Sequence, residues 1–163
     1  MKKRFCRSRQ LIYEFADGKR DQFQPSNTHS EGNWENQRGQ PVQESQSRRI
    51  VVVDDDALIR TVFAKVLKIS GYIVLATLAD GNELVSSLNE MEPKPEVIIL
   101  DERMPGMSGV EACKEIHSKY PFISVIFVSA DETAKTRAKQ AGARIFLAKP
   151  VVLSDLISAI NSV

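Results

Sequence analysis

The sequence predicts an α/β fold in residues 49–163, with five parallel strands and helices on both faces of the sheet. Two observations lead to this prediction. Short apolar runs rich in Val and Ile recur between charged residues, Gly and Pro, and such runs are typical of strands buried on both faces. Apolar residues between the runs recur at helical spacing. Strands that alternate with helices in this way form a parallel sheet covered on both sides.

The first two units each pair a predicted strand with a predicted helix. The strand runs are residues 50–53 and residues 72–76, the second directly after Gly71. From Ile59 onward, apolar residues recur at i, i+3, i+4, i+7 and i+8, which predicts an amphipathic helix with Gly71 in its C-terminal cap. The second helix is marked by Leu84, Val85 and Leu88.

The last three units repeat this order. Their strand runs are residues 97–100, 123–128 and 144–147, which are also predicted to be buried on both faces. The helices that follow them are predicted over residues 110–117, 132–141 and 153–160. Ligands of such sheets bind beyond the carboxyl ends of the strands, at the switch in strand order. The functional residues are therefore expected directly after the strands.

Residues 1–48 are predicted to be a disordered extension of this domain. Among the 32 residues from 18 to 49, only Phe23, Trp34 and Val42 are hydrophobic. Such a segment cannot bury enough apolar surface to offset the entropy lost on ordering. Residues 1–49 hold 10 Lys and Arg against 6 Asp and Glu, whereas residues 50–163 hold 12 against 15. The domain itself is therefore mildly acidic.

Composition excludes several classes of function. The acidic domain offers no basic face for nucleic acid, and no stretch approaches the roughly 18 apolar residues of a membrane span. Cys6 and Cys113 lie far apart, without the spacing of a disulfide framework or a metal site, which favours a reducing compartment. We therefore expect a cytoplasmic protein that does not bind nucleic acid or membranes directly.

Reactive side chains stand at the ends of four predicted strands. Asp54 and Asp55 follow the first strand, Asp101 the third, Ser129 the fourth and Lys149 the fifth. Carboxylates crowded together repel one another and require a divalent cation, and all-oxygen ligands favour Mg²⁺. The sequence therefore predicts a magnesium site at this edge of the sheet.

Phosphoryl transfer to a carboxylate explains this set of groups. A carboxylate with an ordinary pKa of about 4 is ionised and can attack. Mg²⁺ neutralises the charge that develops on the phosphoryl oxygens. Lys149 supplies a second cation and Ser129 a hydroxyl donor for the same oxygens. Asp56 is instead predicted to begin the first helix as a capping residue.

Four segments resemble the receiver domain of two-component response regulators. They are VVVDDDALIR at 51–60, ILDERMPGMSG at 99–109, VSA at 128–130 and FLAKP at 146–150. The resemblance extends over about residues 50–163, and the four segments together are far more specific than any one of them. It implies a flavodoxin-like (CheY-like) fold with the strand order 2-1-3-4-5.

The resemblance also implies roles for the site residues. Asp101 is the expected phosphoacceptor, with Lys149 and Ser129 as its catalytic partners. The bond between Lys149 and Pro150 is expected to be cis. The expected metal residues are Asp54, Asp55 as a direct ligand, Asp101, and Arg103 through its backbone carbonyl.

Other residues are expected to control the phosphoryl group and its signal. Arg103 and Asp131 flank the site in the family and tune phosphoryl lifetime, and here their opposite charges could pair over the site and hinder water. Phe146 stands at the position of the switch aromatic; static core packing is the alternative reading. Ser129 stands where the family frequently has Thr, and it keeps the hydroxyl.

The resemblance implies signalling partners rather than a conventional enzyme. The expected phosphoryl donor is a sensor histidine kinase, and the domain catalyses its own phosphorylation and later dephosphorylation. Only 13 residues follow Pro150, which favours a receiver that signals through protein contacts without an output domain. Dimerisation on phosphorylation, through the fourth helix, fifth strand and fifth helix, is a further expectation.

Three alternatives stay open. The first is a relay that passes the phosphoryl group to a histidine phosphotransfer protein. The second is a phosphatase with an aspartate nucleophile, which would need an acid where Arg103 stands. The third is a flavin-binding electron carrier of the same fold, which would need a hydroxyl-rich phosphate loop where three aspartates follow the first strand.

Overall fold

Ten elements alternate along residues 47–163, the part of the chain that this computed structural model describes. The predicted disordered extension, residues 1–48, lies outside the described residues except for its last two. No helix within residues 47–163 has both the length and the hydropathy of a bilayer span. The elements are β1 (Arg49–Val53), α1 (Ala57–Ile69), β2 (Ile73–Leu78), α2 (Gly81–Glu90), β3 (Val97–Asp101), α3 (Gly109–Lys119), β4 (Ser124–Ser129), α4 (Ala134–Gln140), β5 (Ile145–Ala148) and α5 (Leu153–Ser162).

The five strands are all parallel and lie in the order β2-β1-β3-β4-β5, which confirms the predicted fold class. The chain passes from β1 to its neighbour β2 and then crosses to β3 on the other side, so the order reverses between β1 and β3. The register pairs Val53 with Leu100 and Ser129 with Ala148. The carboxyl ends of these strands therefore lie at one edge, where ligands of such sheets bind.

Alternate residues of the central strands face two separate hydrophobic cores. Val51 and Val53 of β1 belong to one cluster, and Ile50 and Val52 belong to the other. This period of two is expected of a strand whose faces are both covered by helices. Each fully buried Val or Ile side chain stabilises the fold by about 1.5–3 kcal/mol relative to an exposed one. The strand ends that carry the site are thus anchored in packed structure.

Strand β5 is less buried than predicted. Its residues are half-buried or exposed, whereas every residue of β3 and β4 is buried. In the part of the chain that the structure describes, β5 is an edge strand with β4 as its one neighbour in the sheet. The prediction of burial on both faces is therefore correct for β3 and β4 and wrong for β5. A run of apolar residues does not by itself reveal which strand lies at an edge of the sheet.

Local hydrogen bonds fix the helix ends. The Asp56 side chain accepts a hydrogen bond from the backbone N–H of Leu58 at 2.7 Å, which confirms its predicted capping role at α1. Ser108 and Glu111 form a reciprocal capping box at the start of α3. Gly71 follows the end of α1 with φ of +87°, a conformation that other residues rarely adopt.

Cys113 in α3 belongs to the core. It is fully buried, and burial raises the pKa of its thiol to about 11. Cys113 therefore acts as a small apolar residue of the interior.

Candidate functional site

Lys149 lies between two buried carboxylates at the carboxyl edge of the sheet. Its Nζ is 2.6 Å from Oδ1 of Asp101 and 2.9 Å from Oδ2 of Asp54. The side chains of Asp54 and Asp101 are only 3% and 5% exposed. One ammonium thus partly neutralises two carboxylates that would otherwise repel each other at a poorly hydrated site. The bond between Lys149 and Pro150 is cis, as the resemblance implied.

Strand ends and backbone donors position these groups. Asp54 follows β1, Asp101 is the last residue of β3, and Lys149 follows β5. The backbone N–H of Arg103 donates to Oδ2 of Asp101 at 2.8 Å, and the N–H of Asp56 donates to Oδ1 of Asp54 at 2.9 Å. Each carboxylate therefore has one oxygen held by the backbone and the other held by Lys149.

Burial and charge shift the pKa values of the acceptor and the lysine. Burial raises the pKa of Asp101 above its ordinary value, and the ion pair with Lys149 opposes this rise without cancelling it. Burial alone would lower the pKa of Lys149, but its hydrogen bonds to Asp101 and Asp54 outweigh this and raise the pKa. Lys149 is therefore a permanent cation at neutral pH, and additional positive charge would favour the ionised form of Asp101.

The side chain of Asp55 takes no part in the ion pairs that Lys149 forms with Asp54 and Asp101. Its side chain is exposed, and within residues 47–163 no three acidic, His or Cys side chains are close enough together to enclose a metal ion. Mg²⁺ requires fewer protein ligands, because it usually keeps several waters and is held by one or two carboxylates. Asp54 and Asp101 already converge on one cation, so the oxygen donors at this edge fit Mg²⁺.

The hydroxyl of Ser129 donates its hydrogen bond to Oε2 of Glu102. Both residues are buried, and the other carboxylate oxygen of Glu102 lies 2.9 Å from Nη2 of Arg137 on α4. Sequence reasoning did not single out Glu102. A second acid directly after Asp101 was the available signal, but its partners are 27 and 35 residues away along the chain.

Arg103 and Asp131 flank the site, but they do not form the expected ion pair in the described part of the chain. The carboxylate of Asp131 accepts hydrogen bonds from the N–H and hydroxyl of Thr133 at 2.9 and 2.6 Å, and it lies 3.5 Å from Arg137. The bonds from Thr133 lower the pKa of Asp131, with smaller contributions from the charges of Arg137 and Arg103. The roles of Arg103 and Asp131 in phosphoryl lifetime stay predictions.

Phe146 of β5 is half-buried against the core. Its ring stacks on that of Phe127, with centroids 6.3 Å apart and an interplanar angle of 19°. This packing is compatible with either expected role, so the function of Phe146 as a switch also stays a prediction.

Comparisons with known proteins agree with this arrangement. Residues 50–161 match the family described as the response regulator receiver domain. The transcriptional regulatory protein PdtaR of Mycobacterium tuberculosis is 40% identical over 115 residues, which cover 70% of this chain and 55% of the relative. The chain thus spans about half the length of that relative. The chemotaxis protein CheY of Thermotoga maritima is 33% identical over 118 residues, which cover 71% of this chain and 97% of CheY.

Solved structures share the fold as well. One is the response regulator protein TrrA of Thermotoga maritima, in complex with Mg²⁺ and BeF. It superimposes with a TM-score of 0.64 at 27% sequence identity, covering 71% of this chain and 97% of TrrA.

Proposed function

This chain belongs to the response regulator receiver domain family, and from this premise we propose that Asp101 accepts a phosphoryl group in the presence of Mg²⁺. The observation that carries the proposal is the contact of one ammonium, Lys149, with two buried carboxylates, Asp54 and Asp101. A structural ion pair needs only one carboxylate. Two carboxylates on one ammonium leave a net negative charge, which favours binding of a further cation.

In the proposed transfer, a carboxylate oxygen of Asp101 attacks the phosphorus of a phosphohistidine. A P–O bond forms while the P–N bond breaks, and the electron pair of the P–N bond leaves with the imidazole, which takes up a proton. Hydrolysis later adds water to the phosphorus, releases inorganic phosphate and restores the carboxylate. Catalysis of both steps consists mainly of positioning and charge stabilisation.

The residues of this chain hold and orient the reacting groups. Mg²⁺, when bound, supplies positive charge to the phosphoryl oxygens, and the residues that would hold it are Asp54, Asp55, Asp101 and the backbone carbonyl of Arg103. Lys149 neutralises another of the phosphoryl oxygens, through the ammonium that contacts Asp101 in the unphosphorylated structure. The hydroxyl of Ser129 turns towards the phosphoryl group, and the ring of Phe146 moves into the space that Ser129 leaves. Arg103 and Asp131 restrict the approach of water.

The proposed donor is a sensor histidine kinase in the cytoplasm, and the proposed output is contact with another protein. The surface that changes is formed by α4, β5 and α5, which is also the proposed surface for dimerisation. TrrA is described in complex with Mg²⁺ and BeF. Binding of Mg²⁺ together with a beryllium fluoride fits the Mg²⁺-dependent phosphorylation proposed for Asp101. The relay alternative uses the same phosphorylated state and differs only in the acceptor that follows.

Phosphorylation should occur at Asp101 alone and only with Mg²⁺. When the protein is incubated with acetyl phosphate, intact-protein and peptide mass spectrometry should locate one phosphoryl group on Asp101. Asp101→Asn and addition of excess chelator should each abolish the label. Asp56→Asn is the matched control, because Asp56 stands two residues from Asp54 but caps α1, and it should be labelled like the wild type.

Persistence of the label in Asp101→Asn, or equal labelling with chelator, would contradict the proposed function. Adding a purified histidine phosphotransfer protein to the phosphorylated domain distinguishes the two outputs. Rapid transfer of the label to histidine would favour the relay, whereas slow release of inorganic phosphate would favour a regulator that acts by contact.

We further propose that residues 49–163 form an independent domain. All ten described elements and both hydrophobic cores lie within this range. Deleting residues 1–47 should therefore change the free energy of unfolding by no more than about 0.5 kcal/mol, and the rate of phosphorylation should stay the same. Urea unfolding of both forms measures this, and a loss of several kcal/mol would show that the extension packs on the domain.

A further inference from the structure

Glu102 is a buried acid that the proposed chemistry does not use. Its side chain is 9% exposed, and both of its oxygens are engaged by residues distant in sequence. Oε2 accepts the hydrogen bond of the Ser129 hydroxyl, and Oε1 pairs with Arg137 at 2.9 Å. Its backbone, directly after the end of β3, is also held, because the N–H of Glu102 donates to the carbonyl of Val128 in β4 at 3.2 Å. The carboxylate is therefore held by one partner at each oxygen, and the backbone that carries it is held as well.

The orientation of the Ser129 hydroxyl is fixed from two directions. A serine hydroxyl has one hydrogen to donate, and here that hydrogen goes to Glu102. Its oxygen accepts from the backbone N–H of Asp131 at 2.9 Å. The same hydrogen cannot donate to a phosphoryl oxygen on Asp101 at the same time. Activation through Ser129 therefore requires that the bond to Glu102 be broken.

We propose that Glu102 is a positioning residue that retains the Ser129 hydroxyl in the unphosphorylated state and thereby opposes activation. This inference rests on the proposed function of Asp101 as phosphoacceptor. The phosphoryl group and Glu102 compete for one hydroxyl proton. Glu102 therefore reduces the apparent affinity of the site for a phosphoryl group, because it stabilises the state in which Ser129 is turned away.

Arg137, a residue of α4, connects the hydrogen bond between Ser129 and Glu102 to that helix. The Nη2 atom of Arg137 lies 2.9 Å from Glu102 and 3.5 Å from Asp131, and its side chain is 56% exposed. Release of Ser129 leaves Glu102 with Arg137 as its remaining side-chain partner. The position of the hydroxyl at the site is thus linked, through one carboxylate, to a cation on the surface of the helix that follows β4.

Binding of beryllofluoride, a phosphoryl mimic, tests the inference at saturating Mg²⁺. Glu102→Met removes the acceptor and keeps an unbranched side chain of similar length. It should bind beryllofluoride about tenfold more tightly in calorimetric titrations, the effect expected from the loss of one hydrogen bond to a charged group. Glu102→Gln keeps a neutral acceptor and should fall between the wild type and Glu102→Met.

The Ser129→Ala variant distinguishes retention of the hydroxyl by Glu102 from simple repulsion between the charge of Glu102 and the phosphoryl mimic. Without the hydroxyl, Glu102→Met should change the affinity for beryllofluoride by less than about twofold, the usual limit of additivity for independent sites. An equal gain in both backgrounds would mean that Glu102 acts only by repelling the phosphoryl charge, and it would overturn the inference.

The amide resonance of Asp131 provides a second readout, because this N–H donates to the Ser129 oxygen. In ligand-free Glu102→Met and Glu102→Gln it should move towards the position that beryllofluoride produces in the wild type. A resonance that stays at its wild-type position, or an unchanged affinity, would overturn the inference. Beryllofluoride binding that survives in Asp101→Asn would instead overturn the proposed function, and these outcomes are distinguishable.

Discussion

Lys149→Met should lower the free energy of unfolding by about 3 kcal/mol when no divalent cation is present. The substitution removes the ammonium that contacts both Asp54 and Asp101 and leaves two buried carboxylates facing each other. Removing one partner of a buried charge pair is strongly destabilising, because the remaining charge has neither water nor a counter-ion. Urea unfolding at neutral pH, with a chelator present, measures the loss.

Mg²⁺ and pH should both modify this loss. Added Mg²⁺ should stabilise Lys149→Met more than the wild type, because it supplies the missing positive charge. The charge of Lys149 opposes the rise that burial produces in the Asp101 pKa, so Asp101 should take up a proton at a higher pH in Lys149→Met than in the wild type. Protonation removes one of the two unpaired charges, so the loss should shrink as the pH falls.

The matched control is Lys119→Met, which removes an exposed lysine from an i, i+4 pair with Glu115 on α3. Exposed pairs of this kind contribute little to stability, so this control should unfold almost like the wild type. If Lys149→Met were no less stable than this control, the carboxylates would not depend on the ammonium and the charge balance described for the site would be incorrect.

Gly109→Ala should lower the free energy of unfolding by about 3 kcal/mol and slow phosphorylation about 100-fold. A Cβ at Gly109 would lie 2.1 Å from the backbone carbonyl oxygen of Asp101 and 3.0 Å from Cα of Glu102. These are backbone atoms, so no rotation of a side chain can relieve the overlap. The start of α3 and the end of β3 must separate, which moves the acceptor carboxylate away from Lys149.

Gly71→Ala separates this overlap from the general cost of replacing glycine. Gly71 has φ of +87°, but a Cβ there meets no atom within 4 Å. This control should lose only about 1–2 kcal/mol through backbone strain, and its phosphorylation rate should match the wild type. Rates of labelling by acetyl phosphate and urea unfolding curves compare the two variants. A wild-type labelling rate in Gly109→Ala would show that the acceptor tolerates movement of α3.

The fold was predictable because the apolar runs, the helical spacing of apolar residues and the residues at the helix ends all indicate the same elements. The apolar run at 97–100 is buried along its whole length in β3, and the spacing from Ile59 onward forms the amphipathic helix α1. Asp56 and Gly71 act at the ends of α1 as their side-chain chemistry predicts. Which strands lie at the edges could not be derived from the apolar runs and followed only from the resemblance, since strand order depends on pairing between distant segments.

The site was predictable where a strand end determines the position of a residue. Asp54, Asp101 and Lys149 each stand at the end of a strand, and the parallel sheet brings them into contact. The partners of Ser129 and Asp131 were not predictable in the same way. They depend on Arg137, whose position follows from how α4 packs, and on Glu102, whose side-chain direction cannot be read from its neighbours.

The burial of Cys113 has a consequence for redox chemistry. With a pKa of about 11, its thiol is ionised in roughly one molecule in 10,000 at pH 7, and the thiolate is the form that reacts with oxidants and electrophiles. Its Sγ also has no path to solvent, since Cys113 is 0% exposed. Peroxide and alkylating reagents therefore reach this cysteine only when the packing around α3 opens, locally or by unfolding of the domain. Within residues 47–163, where Cys113 is the sole cysteine, the folded domain therefore keeps its thiol protonated and shielded from oxidants.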